Sequence, residues 1–502
     1  MRTDVQFSRE GHHWTPQSGL QQGLPSIGVI QPRSNRKSNQ VSDVVVIGAG
    51  YAGLTAARDL SIAGHDVLLL EGRDRIGGRT WSSTIEGYHY ELGGTWVHWN
   101  QPFVWRELAR YRMTHDLEAT PATGRGLEQS WINWPNETMK VSLQEEFAIL
   151  ESAVKKFINV DGNLGREVIP FPHNPHQNPI TAVYDKMSFA DRVAQIKAAL
   201  TPVELHILEI FLSVTSGGTM ENSSFFDMLR WWALNNYDMR QFNEMCLTYK
   251  LRDGQSALAR RIFDDAIATG RVTYHFDTPV AEVEDRGTHI VVTSQSGQRY
   301  QARRAIVTIP LNVLKTVKFT PALLLGKQAA AGVGHVNQCT KVHVEVANPD
   351  LRSFSGWQKG ALGMSFGDGT TPAGNTHIVA FGCSHPGVRL EATASGGQKA
   401  LEAMRSFAPA QFEDIRRLIF HDWSSDEFAQ GTWAFFPPNM ATEHLQTLRQ
   451  SQGNVKFASA DWAMGWRGFI DGAIEEGARA AKELDDELKE SRRLGLTRPI
   501  KL

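Results

Sequence analysis

The chain has 502 residues, 41% hydrophobic and 21% charged, and this length predicts two or more domains. The formal net charge of -2 disfavours a nucleic-acid partner, because such partners need a basic surplus. The three cysteines, Cys246, Cys339 and Cys383, are far apart, so we expect no disulfide framework and no bound metal. The sequence has no run of about 18 apolar residues, so we expect a soluble, intracellular protein without a membrane span.

The first strongly patterned region is a strand–helix–strand unit. It follows residues 1–40, which are rich in Gln, Ser, Gly and Pro and predict an extended N-terminal arm. Residues 44–47 form a β-branched run that is typical of a buried parallel strand. Helix-compatible residues follow at 54–63, and residues 67–70 predict a second strand. This order indicates a nucleotide-binding βαβ unit.

A glycine-rich turn joins the first strand to the helix. Gly48 permits the tight turn, Gly50 lets the backbone approach a pyrophosphate, and Gly53 lets helix and strand pack closely. The free N–H groups at the helix start favour an anion. Glu71 ends the second strand, where it can accept hydrogen bonds from ribose hydroxyl groups and disfavours the 2′-phosphate of NADP. The candidate cofactor-binding residues here are Gly48, Gly50, Tyr51, Ala52, Gly53 and Glu71.

The next stretch, EGRDRIGGRTWSS, adds a glycine pair and several arginines close to the phosphate-binding turn. Because the planar guanidinium group bonds pyrophosphate oxygens, the stretch favours FAD over NAD, although a basic surface turn is the alternative. A further glycine turn, ELGGTWVH, can let the backbone lie flat against a ring. The candidate cofactor-binding residues in the two stretches are Arg73, Gly78, Arg79, Gly93, Gly94, Thr95 and Trp96.

Several separated motifs together carry a resemblance to a known family. Besides the stretches above, they are DGQSALARRI at 253–262, AIVTIPLNVL at 305–314 and GFIDGAIEEGARAA at 468–481. The sequence resembles the flavin-containing amine oxidase family from about residue 44 to residue 482. Within that family it is most similar to the fungal monoamine oxidases, through GGTWVHW and DGTTPAGNTH.

The resemblance implies an α/β (α+β) fold in which the chain crosses repeatedly between two domains. One is a Rossmann-like FAD-binding domain of the two-dinucleotide-binding-domain flavoprotein type, and the other is a discontinuous, mixed substrate domain. Residues 340–348 alternate in polarity and predict a half-buried strand of the substrate domain. The expected segments are 41–111, 246–314 and 446–490 for FAD binding, 112–245 and 315–445 for substrate binding, and 491–502 for a C-terminal tail.

Three further cofactor contacts come from the resemblance. It implies that the backbone at Val280 touches the adenine end and that Asp461, where relatives often have Glu, lies near the ribityl and phosphate region. The amide of Ile470 is expected at the start of a helix aimed at the pyrimidine side of the flavin. Such a helix start carries about half a positive charge, which would stabilise the anionic reduced ring.

The resemblance also implies the chemistry. A neutral amine loses a hydride equivalent to FAD, the imine is hydrolysed to an aldehyde or ketone and ammonia, and O2 is reduced to H2O2. Trp433 and Phe469 match the two rings that stand over the flavin in this family, and Lys341 matches the lysine that holds a water at the flavin. Core aromatic residues and an exposed edge-strand lysine are the respective alternatives. Thr432 stands where some relatives carry a flavin-linked cysteine, so we expect noncovalent FAD.

Other aromatic residues favour a structural role. We predict that Phe435 and Phe436 are core residues. Helical spacing also favours the core over a substrate channel for a set of five residues between positions 226 and 239. The set is Phe226, Leu229, Trp231, Trp232 and Met239.

Several alternatives stay open. An L-amino-acid oxidase would need a cation for the substrate carboxylate, for which Arg230 is the candidate. A polyamine oxidase would need acids in its substrate tunnel, whereas the stretches identified above are mostly apolar. A histone demethylase and an NAD-linked dehydrogenase are disfavoured. A binding protein similar to those that chaperone prenylated proteins is the non-enzymatic alternative. The sequence fixes neither the preferred amine nor its enantiomer, and it leaves a homodimer open.

The last three residues, Ile500-Lys501-Leu502, are similar to the peroxisomal address Ser-Lys-Leu. The isoleucine departs from the usual small residue at that position. An ordinary basic tail is therefore an equal alternative, and the location is peroxisomal or cytoplasmic.

Overall fold

The computed structural model describes residues 6–33, 41–120, 124–382 and 390–494. The strands there are β1 (Gln6–Thr15), β2 (Gly19–Ser26), β3 (Ser42–Ile47), β4 (Val67–Leu70), β5 (Ser82–Ile85), β6 (Tyr88–Glu91), β7 (Leu117–Ala119), β8 (Gln129–Trp134), β9 (Glu137–Val141), β10 (Tyr249–Leu251), β11 (Val272–His275), β12 (Val280–Asp285), β13 (Ile290–Ser294), β14 (Arg299–Val307), β15 (Lys318–Thr320), β16 (Thr340–Val346), β17 (Phe354–Gln358), β18 (Met364–Thr370), β19 (Thr376–Gly382), β20 (Ile415–Phe420) and β21 (Val455–Phe457).

The α-helices of the same residues lie between and after these strands. They are α1 (Tyr51–Ile62), α2 (Pro102–Arg110), α3 (Leu143–Ile158), α4 (Thr181–Asp185), α5 (Phe189–Ile196), α6 (Pro202–Ser216), α7 (Phe225–Leu234), α8 (Met239–Leu247), α9 (Gln255–Ala268), α10 (Leu311–Leu314), α11 (Leu325–Val333), α12 (Ala394–Phe407), α13 (Met440–Arg449) and α14 (Ile470–Arg493). Short 3₁₀ helices lie at Pro175–Gln177, Lys197–Ala199, Pro349–Ser353 and Ala460–Trp462.

An eight-stranded sheet contains the predicted nucleotide-binding unit. Its order is β11-β4-β3-β14-β13-β12-β15, and β21 pairs with β14. The strands β11, β4, β3, β14 and β21 form parallel pairs. The apolar run of β4 is buried throughout, as expected for a parallel sheet that is covered on both faces. Together with its layered helices, this sheet confirms the predicted α/β class with a Rossmann-like unit.

Helix α1 fixes the position of the nucleotide-binding turn. It begins directly after β3 and lies against α9 and α14. Most of its residues are buried, which agrees with a sequence that is apolar or small around nearly the whole helix. Leu54, Leu60 and Ile474 belong to the core that joins these helices to the sheet. The turn that precedes α1 is therefore held by a rigid layer of packing.

The second large sheet has nine strands, in the order β2-β1-β20-β16-β19-β18-β17-β8-β9. Strand β16 lies inside this sheet and all seven of its residues are buried, so the prediction of a half-buried strand was wrong. Its alternating polar side chains have partners within the protein. For example, the two ring nitrogens of His343 lie 2.9 Å from Nε2 of His377 and 2.8 Å from the carbonyl oxygen of Glu91.

The N-terminal segment is a β-hairpin over residues 6–26, not the extended arm that its composition predicted. Strand β1 pairs with β2 and with β20, so the hairpin adds two strands to the nine-stranded sheet. Glu10 of β1 also reaches the segment that follows β4, where it forms ion pairs with Arg73 and Arg75. Burial alone would raise the pKa of Glu10, but these two guanidinium groups lower it to about 2.

The segments assigned to the two domains remain a prediction, with two differences at their edges. Strand β15 pairs with β12 in the eight-stranded sheet, although it falls within the substrate segment. Helix α14 continues to Arg493, into the predicted tail. The terminal tripeptide and Cys383 lie outside the described residues. Among the described residues, no helix combines the length and the apolar character that crossing a bilayer requires.

The Glu10 contacts give a stability prediction. Replacing Glu10 with Gln leaves the buried Arg75 guanidinium without its carboxylate and is expected to lower the free energy of unfolding by about 3 kcal/mol at pH 7. Because the folded-state pKa of Glu10 is lowered, its contribution is present above pH 4.5 and declines as the pH falls towards about 2.

Urea titrations of both proteins between pH 7 and about pH 3 measure this difference and its decline. The control is Asp414→Asn, which removes an exposed ion pair with Arg416 and is expected to cost less than about 1 kcal/mol. Equal stabilities of the Glu10→Gln variant and the parent at pH 7 would contradict the prediction.

Candidate active site

A long cavity of about 560 Å³ is lined by residues from both sheets. Ile47, Leu70 and Val280 line it from the eight-stranded sheet, and Lys341 and Phe381 line it from the nine-stranded sheet. The predicted site residues that line it are Gly48, Gly50, Tyr51, Ala52, Glu71, Arg73, Gly78, Arg79, Gly93, Gly94, Thr95, Trp96, Val280, Lys341, Trp433, Phe469 and Ile470. The structure therefore brings most of the predicted residues to one place.

The glycine turn has the close packing that its sequence predicts. Gly48 has a φ of +106°, a conformation that strongly favours glycine. A Cβ atom at Gly53 would collide with the carbonyl oxygen of Gly48, so this glycine serves helix–strand packing and does not line the cavity. Gly50 lies against Gly78, since a Cβ at Gly78 would come within 3.2 Å of the Gly50 Cα. Two glycine turns thus form one wall of exposed backbone.

Two helices begin at the cavity without a side-chain cap. Gly50 is the N-cap residue of α1 and Phe469 is the N-cap residue of α14, and neither position supplies a side-chain hydrogen bond to the first free N–H groups. Ile470, the first residue of α14, and Gly94 both line the cavity, with the Ile470 side chain 3.7 Å from a Cβ position at Gly94. Both helix starts therefore direct positive dipole ends towards the cavity.

Glu71 closes the nucleotide end, as predicted from its place after β4. Its Oε2 accepts a hydrogen bond from the Ala49 backbone N–H at 2.5 Å, and its Oε1 accepts one from the Arg73 N–H at 2.9 Å. Burial raises the pKa of Glu71 despite these donors and the nearby Arg73 charge. The side chain is consequently fixed in place, with one side facing the cavity.

The arginines of the second glycine stretch are already paired within the protein. Arg73 lines the cavity but donates two hydrogen bonds of 2.7 Å to Asp426. Arg75 is fully buried and lies outside the lining, so it does not serve as a direct pyrophosphate ligand. Arg79 lines the cavity and donates to the Thr432 carbonyl oxygen at 2.6 Å. The positively charged side chains of this stretch are therefore held in place by partners within the protein.

Asp461 differs from the prediction in a similar way. Its carboxylate is fully buried and does not line the cavity, where Ser459 and Ala460 lie instead. Its Oδ1 accepts from Arg79 at 2.5 Å and its Oδ2 accepts from the Leu311 N–H at 2.8 Å. The physical reason is that a buried carboxylate needs its own donors. Asp461 therefore positions Arg79 and does not itself face a ligand.

Lys341 is buried on the interior strand β16, which excludes the alternative of an exposed edge-strand lysine. Its Nζ donates to the Gly93 carbonyl oxygen at 3.3 Å and to Thr95 Oγ1. The ammonium group also lies 4.9 Å from the centre of the Trp96 ring. Burial lowers the pKa of Lys341 to about 8, although the nearby Glu91 carboxylate opposes this shift.

Behind Lys341 lies a second, polar cavity of about 190 Å³. Lys341 and Thr95 line both cavities, so they separate the two spaces. Burial raises the pKa of Glu91, which lines the second cavity, to about 7. Asp368 lies 2.8 Å from the Lys250 ammonium, which holds the pKa of Asp368 below its usual range against the effect of burial. A buried network of opposite charges thus surrounds the lysine.

Aromatic side chains dominate the other part of the large cavity. Trp433 lines it and donates from Nε1 to the Thr215 carbonyl oxygen at 2.9 Å. Phe469 lines it with its ring centre 4.8 Å from that of Trp231. Phe435 and Phe436 are fully buried outside the lining, which confirms their core role.

The apolar lining was only partly anticipated. Of the five residues between positions 226 and 239, only Trp231 lines the cavity, and the other four are core residues. Further apolar lining residues come from elements without a recognisable local motif. They include Phe147, Leu150, Phe211, Val214, Phe242, Trp357, Met364, Phe366 and Phe381.

The comparison with protein families decides the relationship. A family model described as flavin containing amine oxidoreductase matches residues 51–485. The chain belongs to this family. Pseudooxynicotine dehydrogenase of a Pseudomonas species is 29% identical over 467 residues, covering 90% of this chain and 88% of that protein. Flavin-containing amine oxidase A of Sus scrofa is 25% identical over 492 residues, covering 90% of this chain and 86% of that protein.

A solved structure agrees with the fold of this flavin-containing oxidoreductase. Cyclohexylamine oxidase from Brevibacterium oxydans superposes with a TM-score of 0.71 at 18% identity, over 90% of this chain and 100% of that chain. These relatives are bacterial and mammalian, so the finer resemblance to fungal monoamine oxidases remains a prediction.

FAD is the cofactor of this family, and the site fits it. The paired glycine turns and the start of α1 suit a pyrophosphate, and the buried Glu71 suits a ribose. The start of α14, beside Lys341 and the turn at residues 93–96, suits the ring. Val280 lines the cavity where the resemblance expects adenine. Trp423, Glu427 and Phe428 also line the cavity, and sequence reasoning missed them because they lie in an irregular loop.

The cavity lining has consequences for two sequence interpretations. Arg230 is fully buried, bonds the Gly465 carbonyl oxygen at 2.9 Å and does not line the cavity, so it offers no anchor for an amino-acid carboxylate. Cys246 and Cys339 do line the cavity, although neither is near Trp433 in the sequence. Burial raises the pKa of Cys246 to about 12, which keeps its sulfur a weakly nucleophilic thiol.

Noncovalent FAD therefore remains the prediction, and acid precipitation tests it. Because no activated thiolate is expected beside the flavin, trichloroacetic acid should release the yellow colour into the supernatant. Absorbance of supernatant and pellet near 450 nm measures the partition, with free FAD added to a colourless protein as the control. A pellet that keeps its yellow colour after washing would show a covalent link.

Proposed function

We propose that this protein oxidises primary amines, and secondary amines of suitable shape, to imines that hydrolyse to an aldehyde or ketone. The observation that carries the proposal is one cavity that joins an FAD-type dinucleotide site to an aromatic pocket at Lys341. The names of the relatives support an amine substrate, since they include an amine oxidase and a pseudooxynicotine dehydrogenase.

The aromatic pocket favours the reactive form of an amine. An ammonium group has no lone pair to support the developing iminium, so the amine must lose its proton before oxidation. The rings of Trp433, Phe469, Trp231 and Phe381 offer no counter-ion, and the low-polarity surroundings lower the pKa of a bound amine. The ring faces also attract the approaching cation before it is deprotonated.

Lys341 is the polar residue of the reaction centre in this proposal. FAD, when bound, supplies the hydride acceptor and the route to O2. Lys341 holds a positive charge beside the turn at residues 93–96, where its contacts with Gly93 and Thr95 fix the position of the ammonium. A charge placed in advance stabilises an anion that develops next to it, such as reduced oxygen. The same ammonium can orient a water molecule for imine hydrolysis.

A second candidate concerns the electron acceptor. The Pseudomonas relative is named a dehydrogenase, which favours an acceptor other than O2 as the alternative. The two candidates share the amine half-reaction and differ only in how the reduced enzyme is reoxidised.

A panel of amines tests the proposed reaction. The purified holoenzyme is expected to oxidise benzylamine and hexylamine and to leave leucine unchanged, because Arg230 does not reach the cavity to bind a carboxylate. Peroxide release and O2 uptake are measured in parallel with reduction of an artificial dye. Substrate-dependent bleaching of the flavin without O2 uptake supports the dehydrogenase alternative, and absence of bleaching with every amine contradicts the proposal.

Replacing Lys341 with Met tests the role of the buried charge. We expect reoxidation of the reduced enzyme by O2 to slow by about 10- to 100-fold, because the preorganised cation is lost, while FAD stays bound. Stopped-flow absorbance measures the rate. Because the pKa of Lys341 is about 8, the parent rate should fall as the pH rises through 8, and the variant should lose this dependence.

Lys327→Met is the matched control. Lys327 is also buried with a pKa lowered to about 7 by burial, but it does not line the cavity and donates to the Leu448 carbonyl oxygen. Its replacement should leave the reoxidation rate unchanged. Equal rates in the Lys341→Met variant and the parent would remove this role from Lys341.

A further inference from the structure

The apolar part of the cavity contains one feature that the proposed monoamine chemistry does not use. Glu146, on the first turn of α3, lines the cavity among Phe147, Leu150 and Trp357. Among the described residues it is the single acidic side chain in the apolar part of the lining, since Glu71 and Glu427 lie with the nucleotide-site residues. An acid at this position was not expected from the mostly apolar stretches of the sequence.

Glu146 has no cationic partner among the described residues. Its Oε2 is shielded from solvent and makes no hydrogen bond there. Burial raises its pKa, and the groups that oppose this shift are the neutral donors Ser130, Ser355 and Trp357. Arg240 is exposed, lies 5.5 Å from the centre of the Phe147 ring and is not among the groups that influence Glu146. Glu146 is half-buried, and an unpaired carboxylate in such apolar surroundings either holds a proton or binds a cation that a ligand brings.

Strand pairing gives the distance between Lys341 and Trp357, which lies in the same part of the lining as Glu146. Lys341 pairs with Phe381, Phe381 with Met364, and Met364 with Trp357. Directly paired residues point to the same face of a sheet, and all four line the cavity. Three strand spacings separate the backbones of Lys341 and Trp357, which is about 14 Å. The row of four residues therefore forms a floor, apolar except for the lysine, that runs from Lys341 to the region of Glu146.

We propose that Glu146 binds a second basic nitrogen at the far end of the substrate, so that the preferred substrates are long-chain diamines or amines with a distal cationic group. This inference rests on the proposed amine oxidation and adds its substrate class. A distal ammonium supplies the counter-charge that the Glu146 carboxylate lacks, through a charge-assisted hydrogen bond. The reacting nitrogen, near Lys341 and the aromatic rings, remains free to lose its proton.

The test compares two molecules of equal length, octylamine and 1,8-diaminooctane, on the holoenzyme. The eight-carbon pair suits the span because the side chains at both ends reach into it. Binding is measured without O2 by isothermal titration, and steady-state kcat and KM are measured in air. We expect the diamine to bind about tenfold or more tightly than octylamine, since a hydrogen bond between charged groups adds to the same apolar contacts.

Glu146→Gln should remove this preference by weakening diamine binding about tenfold, a larger effect than the change in octylamine binding. The change keeps the side-chain size and removes a buried acid whose ionisation burial disfavours, so we expect no loss of thermal stability. Glu146→Asp keeps the charge one methylene further from the ligand and should give an intermediate preference. Glu151→Gln is the matched control, because Glu151 lies on the same helix outside the lining and pairs with Lys155.

Equal affinity of the parent for the two ligands, or an unchanged ratio in folded Glu146→Gln, would overturn the inference and assign Glu146 as a protonated wall residue. If the enzyme oxidises octylamine but does not prefer the diamine, the result supports the proposed function and rejects the inference about Glu146. Tight, Glu146-dependent diamine binding without oxidation of either amine supports the binding site and contradicts the proposed function.

Discussion

The burial of the Lys341 ammonium group is the constraint on which this structure depends. An isolated charge on an interior strand is costly, and the protein offsets that cost with the oxygen acceptors of Gly93 and Thr95 and with the nearby Glu91 carboxylate. The polar side chains of β16 therefore point into the protein. The turn at residues 93–96 is fixed by the same contacts, and this turn meets the start of α14. The lysine thereby links the nine-stranded sheet to the turn that borders the start of α14 at the cavity.

Two helix starts and one ammonium group give the cavity a consistent electrostatic polarity. The starts of α1 and α14 provide partial positive charge without committing a side chain. The arginines nearby are neutralised by partners such as Asp426 and Asp461. As a result, the site attracts anionic groups mainly through backbone N–H groups, whose positions are set by helix packing. Such donors need little reorganisation when charge develops, which suits a redox reaction that alternates between neutral and anionic states.

The predictable parts of the site are those encoded locally. Gly48, Gly50 and Glu71 follow from the turn, strand and helix that immediately surround them, and the structure places all three at the cavity. The unpredicted parts depend on residues distant in sequence. Arg75 is withdrawn from the cavity by Glu10 of the N-terminal hairpin, and Asp461 turns towards Arg79. Glu146 belongs to a well-formed amphipathic helix, so its sequence position resembles that of any exposed acid. Only the packing of α3 against α6 and β8 reveals its orientation.

The floor residues Lys341, Phe381, Met364 and Trp357 have a consequence for redesign. Because each belongs to a different strand, the hydrogen-bonded strands fix the spacing of the four residues. Met364 lies at one of the two inner positions and is the most adaptable of the four, since its unbranched side chain fills irregular space. In the proposed diamine binding, changing the bulk of Met364 alters the substrate length that the pocket admits, while Lys341 and Trp357 stay in place. Selectivity for chain length would then be separable from the chemistry at the flavin.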